Sequence, residues 1–345
     1  MTRTIETRYS VLRGGGRICD ILAAEPAQLR MDDTSAIKSS LTGVFFPDKR
    51  VNWLTDSIRP ELIIDGTAYP LGIYRPTTVQ TVRTETTVLE KIEAFDQCWT
   101  LQDYKTTGIL SLAQGTNYID AIQSLVVQAT GLQVIATPTS WTLTEIREDW
   151  DVGTGYLTII NELLKEINYK EIYFNAQGLP MLEPFQTPTG ANIAHIIDGN
   201  DVRSLLLPDI SRETDIYNKP NSVIVICDNP DKTAVMRATA ENRNPDSPLS
   251  IPRRGKTVMH VERLNNIASQ TELQAYADRI LNEAMYGGEI VELTTGLFPW
   301  YGVDDVIALR YDDYQQLAIR KNWTMNLQPG GDMTCTLERV VANIE

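Results

Sequence analysis

The sequence predicts a mainly β protein with α+β portions, and three observations lead to this class. Short stretches rich in β-branched and aromatic residues recur along most of the 345-residue chain. Two stretches near the middle carry the three- and four-residue apolar spacing of amphipathic helices. A third helical stretch interrupts the last run of strands. A chain of this length is expected to form about two to three domains, each with its own apolar core.

The first hundred residues read as strands. Residues 5 to 12 (IETRYSVL) and 61 to 74 (ELIIDGTAYPLGIY) have β composition, and Asp65-Gly66 is a pair that adopts positive φ at a hairpin turn. Residues 76 to 96 alternate Thr and Val with charged residues, as expected for a strand pair in a sheet with one solvated face.

Residues 117 to 131 (NYIDAIQSLVVQATG) predict the first amphipathic helix. Thr116 or Asn117 is its expected N-cap, and Gly131 is its expected stop.

A second helix is predicted over residues 154 to 169, with Thr154 as its cap. A hairpin at 170 to 185 completes a compact α+β unit. The Pro- and Gly-containing linker QTPTGAN, residues 186 to 192, marks a boundary soon after.

The last third returns to strands at regular spacing, which is typical of a barrel or sandwich. Between the third and fourth of them, a capping box at Ser269 and Glu272 begins a helix that Gly287-Gly288 is expected to end. The predicted strands are residues 222–227, 234–240, 256–262, 289–295, 305–311, 316–327 and 332–341.

The chain is acidic, with 45 Asp and Glu against 31 Lys and Arg, a net charge of −14. Because affinity for phosphate requires clustered cations, nucleic acid is not expected as a tightly held ligand. No apolar run approaches the ~18 residues of a membrane-spanning helix, and the N-terminus lacks a signal peptide, so we expect synthesis in the cytosol. Four widely spaced cysteines without a CxxC pair predict buried free thiols: Cys19, Cys98, Cys227 and Cys335.

Motifs for cofactor or metal chemistry are weak, and no cofactor is expected. The run RGGGR at 13 to 17 lacks the ending of a phosphate-binding loop and is interpreted as a strand connection. His195 and His260 lie far apart without HExxH, and no GxSxG is present. Asp304-Asp305 is interpreted as a turn entering a strand.

A group of carboxylates in TEIREDWDVG, residues 144 to 153, is the best enzymatic candidate, with Trp141 and Trp150 beside it as in a sugar-binding cleft. In an acidic protein, a solvated face or the lead-in to a helix explains the same cluster more simply. The carboxylates are Glu145, Glu148, Asp149 and Asp151.

Three prolines lie within NPDSPLSIPRRGKTV, residues 244 to 258, and predict a stiff, non-helical strap that holds Ser247 and Ile251 extended. The two arginines of this segment are too few cations to form a nucleic-acid-binding surface. Arg253 and Arg254 are therefore expected to donate to carboxylates or backbone carbonyls of a neighbouring domain or subunit.

Four stretches within residues 216–309 occur in a recognisable order: IYNKPNSVIVICDNP, RATAENRNPDSPLSIPRRGKTVMHVE, IASQTELQAYADRILNEA and VELTTGLFPWYGVDDVIAL. Four earlier stretches accompany them and cover residues 30–43, 56–74, 93–105 and 151–185. Together these stretches resemble the hub proteins at the distal end of bacteriophage tails, the family that closes the tail tube of contractile and non-contractile tails.

The resemblance implies two tail-tube-like antiparallel β-barrel domains and two smaller peripheral domains in each subunit. The first barrel is expected at residues 1–105, and the second at 206–240 joined to 288–345. Residues 106–205 and the inserted strap and helix, 241–287, are the expected peripheral domains. Three subunits would place six barrels in a pseudo-hexameric ring that continues the tail tube.

The implied partners are further copies of the chain, a distal tail or tail-tube protein, a central spike or fibre protein and the tape measure protein. Genomic DNA is expected to pass through a neutral or acidic lumen without specific binding, in a virion assembled in the host cytoplasm. Because no lytic domain is expected after Glu345, a non-enzymatic role is favoured. A cell-wall hydrolase remains one alternative. A carbohydrate-binding baseplate module that uses Trp141, Trp150 or Trp300 remains the other.

Overall fold

The computed structural model describes residues 3–214, 217, 219–228, 235–286, 289–302 and 304–340. Within these residues the chain is mainly β, with few helices, which confirms the predicted fold class.

The first hundred residues form four hairpin-linked pairs of strands. Residues Gly14 (φ 57°) and Gly15 (φ 82°) turn β1 into β2, and Asp65 (φ 48°) and Gly66 (φ 82°) turn β5 into β6. Positive φ at both turn residues matches the twist of the strands they join. The interpretation of RGGGR as a strand connection is therefore confirmed. The strands are β1 (Ile5–Arg13), β2 (Gly16–Ile21), β3 (Ala27–Asp32), β4 (Ser39–Phe45), β5 (Ser57–Ile64), β6 (Thr67–Pro70), β7 (Arg75–Arg83) and β8 (Val88–Phe95).

An α+β unit follows. Asn117 caps the first predicted helix by accepting from the Ile119 amide, and Gly131 ends it at φ 73°. The cap expected at Thr154 is wrong, because its hydroxyl donates to the Asp151 carbonyl and the helix begins after Gly155. The elements are α1 (Gln97–Asp103), β9 (Leu110–Leu112), α2 (Tyr118–Thr130), β10 (Ile135–Ala136), β11 (Arg147–Trp150), α3 (Tyr156–Glu166), β12 (Tyr173–Phe174) and β13 (Pro180–Leu182).

The last part of the chain contains strands and two helices. Ser269 accepts from the amide of Glu272 at the start of the long helix, while the expected stop at Gly287-Gly288 lies outside the described residues. No helix in the described ranges is long and apolar enough to cross a bilayer. The elements are β14 (Ile193–Asp198), β15 (Leu206–Thr214), β16 (Ser222–Cys227), β17 (Met236–Glu241), α4 (Ile251–Arg254), β18 (Met259–Leu264), α5 (Gln270–Tyr286), β19 (Glu289–Gly296), β20 (Val306–Tyr311), β21 (Tyr314–Leu327) and β22 (Asp332–Arg339).

Ten strands from both halves of the chain form one sheet. Its main path is β15-β19-β22-β21-β3-β4-β8-β7, and β20 and β14 branch from β21. The 14-residue strand β21 makes this possible, because its first half pairs with β20, its second half pairs with β3 and β22 runs along its other side. The two expected β-barrel domains are therefore not closed in the described residues, because strands of both join in one continuous sheet.

A second sheet, β2-β1-β5-β6, covers one face of the ten-stranded sheet, and a single apolar core fills the space between them. Leu29 and Leu41 come from the first half of the chain, while Leu293, Met325 and Leu337 come from the second, and all are 0 or 1% exposed. The two halves are therefore stabilised by the same buried surface.

Two smaller units carry cores of their own. The α+β unit packs α1, α2 and α3 around residues such as Leu125 and Ile160. A small domain consists of the sheet β17-β16-β18 and α5, with Val225 and Leu273 in its core.

The expected domain boundaries differ from these units in two places. Strand β16, within the expected second barrel segment 206–240, pairs with β17 on one side and, on the other, with β18 of the expected peripheral segment 241–287. Strand β14, within the expected peripheral domain 106–205, pairs in parallel with β20 of the ten-stranded sheet. Both differences arise from pairing between distant segments, which local composition does not report.

The shared core makes a testable prediction. Leu29→Ala in β3 is expected to lower the free energy of unfolding by about 2–5 kcal/mol, because a buried leucine is replaced by a cavity. Hydrogen exchange should show lost protection in β19 and β22 as well as in β3 and β4. Leu125→Ala is the matched control, and its effect should centre on α2 and α3. If Leu29→Ala left the second half unchanged, the two halves would have independent cores.

Candidate functional site

Along the main path of the ten-stranded sheet, one face is polar and solvated. Burial alternates along β3, where Ala27, Leu29 and Met31 are buried and Gln28 and Arg30 are exposed. Since residues that oppose one another in a ladder point to the same side, the strand pairing extends this face across the sheet.

Two rows of small polar residues cross this surface, which we call the polar face. Thr294, Thr334, Thr324, Arg30 and Ser40 lie opposite one another on five successive strands, from β19 to β4. The next row runs from β21 to β7 and consists of Asn326, Gln28, Thr42, Glu93 and Thr78.

Charge on the polar face is mainly negative. Among its basic residues, Arg30 forms an ion pair with Asp32 at 3.0 Å. On the strands of the main path, three basic residues share the face: Arg30, Arg75 and Lys91. Six acidic residues of the same path share it: Asp32, Glu93, Glu213, Glu292, Asp332 and Glu338.

The main path of the sheet ends in two edge strands with different charge. β15 carries Asp209 and Glu213 beside Arg212, while β7 carries Arg75 and Arg83 and no acidic residue. Except for partly buried Leu206, Ile210, Pro76 and Val82, the residues of both strands are exposed. Unpaired edges of this kind are available for pairing with another chain.

A second feature, which we call the charged junction, lies where β20 and β3 meet along β21. The ladder between β21 and β22 is irregular between Arg320 and Asn322, so that Arg320 enters the core at 1% exposure. Its guanidinium donates to Asp305, while its Nε and Nη1 have no protein partner.

Lys321 is the centre of the charged junction. Its Nζ lies 3.1 Å from Asp33 Oδ2 and 3.0 Å from Asp304 Oδ1, so one ammonium serves two carboxylates. Lys170 from the α+β unit lies 4.0 Å from Asp304. The junction thus connects both halves of the sheet and the α+β unit.

The two carboxylates titrate differently. Burial and the neighbouring charge of Asp304 raise the pKa of Asp33 to about 6. Burial also opposes ionisation of Asp304, but Lys321 and Lys170 hold its pKa down at about 2. Both carboxylates contact the same Lys321 ammonium, and Asp33 is the one that takes up a proton first as the pH falls.

A cavity of about 360 Å³ adjoins the charged junction. Lys170, Glu183, Asp304 and Lys321 line it, with Tyr173 donating to Glu183 at 3.0 Å. In the part of the chain that the structure describes, no group of three or more His, Cys, Asp and Glu residues could hold a metal ion. Within the lining of the cavity, Lys321 binds Asp304 and Tyr173 binds Glu183, which is typical of a structural junction.

The two histidines have separate surroundings. His195 stacks on Trp300 with ring centroids 4.2 Å apart, and Trp300 stacks on Phe298 at 4.1 Å. His195 Nε2 lies 3.4 Å from Asp305, which extends the charged junction. His260 lies on the small domain, 3.8 Å from Glu262, so the structure does not bring the two together.

The candidate carboxylates do not converge on a cleft. Arg147 is buried and binds Glu166 at 2.7 Å and Asp149 on its other side. Glu148 and Asp151 are exposed on the surface. Sequence patterns point to this cluster, but its geometry is that of an ion-paired strand.

The candidate sugar-binding tryptophans are not free platforms. Trp150 is 3% exposed and donates to Glu162 at 2.6 Å. Trp141 is partly buried against the core of the α+β unit. Trp300 has Phe298 on one side and His195 on the other.

The strap contains a helical turn, so the expectation of a non-helical segment is wrong. Ser250 caps α4, and Pro252 lies in its first turn, where its missing N–H costs nothing. Arg254 donates to the carbonyls of Lys219 at 2.6 Å and Tyr217 at 3.0 Å. These acceptors lie between β15 and β16, where the chain leaves the ten-stranded sheet for the small domain.

Arg253, the other arginine expected to make interdomain or intersubunit contacts, donates to the carbonyl of Pro245 at 2.7 Å, within the strap itself.

Sequence reasoning missed the charged junction. Asp33 and Lys321 are 288 positions apart, and their pairing follows only from the β3–β21 ladder. The one local signal was the adjacent Arg320-Lys321 pair inside an otherwise strand-like stretch.

Comparison with solved structures places the fold among phage tail proteins. A tail protein from Neisseria meningitidis superposes with a TM-score of 0.68 at 12% identity, covering 96% of both chains. A prophage 43 kDa tail protein from Shewanella oneidensis gives 0.65 at 9% identity, covering 96% of this chain and 98% of that one. A prophage tail protein from Listeria monocytogenes gives 0.58 at 10% identity, covering 96% and 94%.

No protein-family model matches the sequence, and no curated protein does. The resemblance seen in the sequence is therefore confirmed for the fold: the chain has the fold of phage tail proteins over nearly its whole length.

The strap arginines make a testable prediction. Replacing Arg253 and Arg254 with alanine removes three hydrogen bonds to backbone carbonyls and should lower the unfolding free energy of the small domain by about 1–3 kcal/mol. Domain or subunit docking should weaken, and DNA binding should not change. Arg237→Ala/Arg243→Ala is the charge-matched control, since both residues are exposed. A strap variant that kept its stability but lost affinity for DNA would contradict the assignment.

Proposed function

We propose that this protein is the structural hub of a phage tail tip or baseplate. Three copies form a pseudo-hexameric ring that continues the tail tube and anchors a central spike or fibre. The observation that carries the proposal is the single ten-stranded sheet with one polar face and two free edges. The fold of phage tail proteins supports the same role.

Ring formation follows from the edges of the sheet. Pairing β15 of one copy with β7 of the next is a heterologous contact, which closes into a ring when the rotation permits. The acidic residues of β15 and the arginines of β7 favour this pairing over contacts between like edges. Each interface is expected to bury more than roughly 2,000 Å², as in obligate assemblies.

The polar face forms the wall of the lumen. DNA carries one negative charge per ~1.7 Å of its axis, so a basic wall would bind it by releasing counterions. The described strands offer the lumen mostly hydroxyl and amide groups and twice as many acidic as basic residues. Repulsion at physiological salt extends over only ~8 Å, so a wider channel stays open to DNA.

The remaining parts of the proposal concern partners and place. The ring contacts a distal tail or tail-tube protein on one side, the spike or fibre on the other and the tape measure protein within. It assembles in the bacterial cytoplasm and becomes part of the virion.

The role is not enzymatic. The candidate carboxylates are ion-paired or spread over the surface, and the candidate tryptophans are buried or stacked. Clearing of purified cell wall in a zymogram would favour the hydrolase alternative.

Charge reversal at the two edges tests the ring. Asp209→Lys/Glu213→Lys places lysines opposite the arginines of β7 and should give monomers, whereas wild-type protein should have the mass of a trimer by light scattering. Arg75→Glu/Arg83→Glu should give monomers for the same reason. A chain with all four substitutions restores opposite charges at every interface and should form trimers again.

A mixture of the two double variants sharpens this test. A copy of one double variant attracts a copy of the other, whereas copies of the same variant repel each other. A ring must therefore alternate between the two variants. A ring of three cannot alternate, and the mixture should therefore yield pairs or even-numbered species but no trimers. Trimers from either double variant alone would show that β15 and β7 do not form the interface.

The lumen assignment is tested by adding positive charge. Wild-type protein should not retard duplex DNA at 0.15 M salt, whereas Thr42→Lys/Thr324→Lys/Thr334→Lys should bind it with an affinity that falls steeply as salt rises. The control Thr142→Lys/Thr144→Lys/Thr271→Lys adds the same charge elsewhere on the exposed surface. Equal binding by both variants would argue against a lumen at the polar face.

A further inference from the structure

We infer that Asp33 and Asp304 share one proton and form a latch between the two halves of the ten-stranded sheet. With the proton bound, the carboxyl of Asp33 donates to Asp304 and both contact Lys321. When the proton leaves, two carboxylates compete for one ammonium and the seam between β3 and β20 loosens. This device is independent of the ring proposed above.

The latch connects three separate segments of the chain. Asp33 follows β3, Asp304 precedes β20, and Lys321 lies in the irregular part of β21 to which both strands pair. Asp304 has a left-handed backbone, φ 55°, which turns the chain into β20. Since Lys321 Nζ lies 3.1 and 3.0 Å from the two carboxylates, the geometry alone places two acids at one base.

The neighbouring cations are committed elsewhere or lie farther away. Lys38 donates to the Asp33 carbonyl and to Glu171, both at 2.7 Å. Lys170 approaches Asp304 only to 4.0 Å. Arg320 points into the core and donates to Asp305. A second negative charge in the pair therefore has no cation of its own.

The other groups around the latch do not supply a positive charge that could balance an ionised Asp33. His195 faces Asp305 at 3.4 Å rather than Asp33. Tyr173 donates to Glu183, and Glu283 of α5 lines the same cavity, so the remaining neighbours are acidic or already paired. Ionisation of Asp33 thus adds repulsion with Asp304, which Lys321 and Lys38 offset only in part.

The direction of the pH effect follows from the two pKa values. Asp33 has a pKa of about 6 in the folded protein and about 3.9 in an unfolded chain, so the folded state binds more protons between these values. The stability contributed by the protonated latch is present below about pH 4 and is lost as pH rises to about 6. Asp304, with a pKa of about 2, stays ionised throughout this window.

Two backbone hydrogen bonds report directly on the seam. The amide of Asp33 donates to the backbone carbonyl of Lys321 at 2.9 Å. The amide of Arg320 donates to the backbone carbonyl of Asp305 at 3.0 Å. Local opening of the seam exposes both amides to exchange with solvent.

Hydrogen exchange between pH 4.5 and 6.5 tests the latch. In wild-type protein, the protection factors of the Asp33 and Arg320 amides should fall by about tenfold across this range, because opening is linked to proton release. Asp33→Asn keeps a donor toward Asp304 and cannot ionise, so its protection factors should not change with pH. Asp313→Asn, an exposed and charge-matched control, should behave like wild type.

A second readout distinguishes the titration of Asp33 from that of Asp96. Burial raises the pKa of Asp96 to about 6 as well. Asp96 accepts from the amides of Ser39 and Cys98, so its titration appears at those two amides in wild type and in Asp33→Asn alike. Carboxyl NMR should follow the ionisation of Asp33 itself. An Asp33 midpoint near pH 4, or an unchanged fall in protection in Asp33→Asn, would overturn the inference.

Discussion

The structure depends on one strand, β21, that pairs with three others. Its 14 residues are long enough to accept β20 and β3 end to end along one side while β22 runs along the other. Where the two partners meet, the ladder shifts, and this shift turns Arg320 into the core and brings Lys321 to Asp33 and Asp304. The continuous sheet, the shared core and the charged junction all follow from this arrangement.

The α+β unit holds the remaining parts in place through one short segment. Lys165 binds Glu262 of the small domain at 2.6 Å, and the carbonyl of Tyr169 accepts from Arg279 of α5 at 2.9 Å. A few residues on, Lys170 approaches the charged junction and Glu171 binds Lys38 beside β4. This segment therefore contacts the small domain and both halves of the sheet, which makes the peripheral unit a connector.

Local elements could be predicted from the sequence because short-range chemistry determines them. The helix between Asn117 and Gly131 and the turn at Asp65-Gly66 follow from capping and from positive φ. Long-range pairing could not be predicted, because nothing near β14 or β16 indicates which strand each will join. The same holds for the site. The sequence predicts Arg253 and Arg254 as donors to a neighbouring domain or subunit, and Arg254 donates to the carbonyls of Tyr217 and Lys219. The polar face and the charged junction could not be predicted, because they depend on register across the sheet.

The row of threonines on the polar face has a mechanical consequence. A threonine side chain has a single rotatable carbon–carbon bond and is branched at Cβ, so it has few conformations to lose. Lysine and glutamate side chains at the same positions would reach several ångströms from the sheet and move freely. The threonines instead keep this part of the polar face short, stiff and hydrated. A lumen lined by this face, as proposed above, would offer a sliding polymer little friction, whatever the sequence of that polymer.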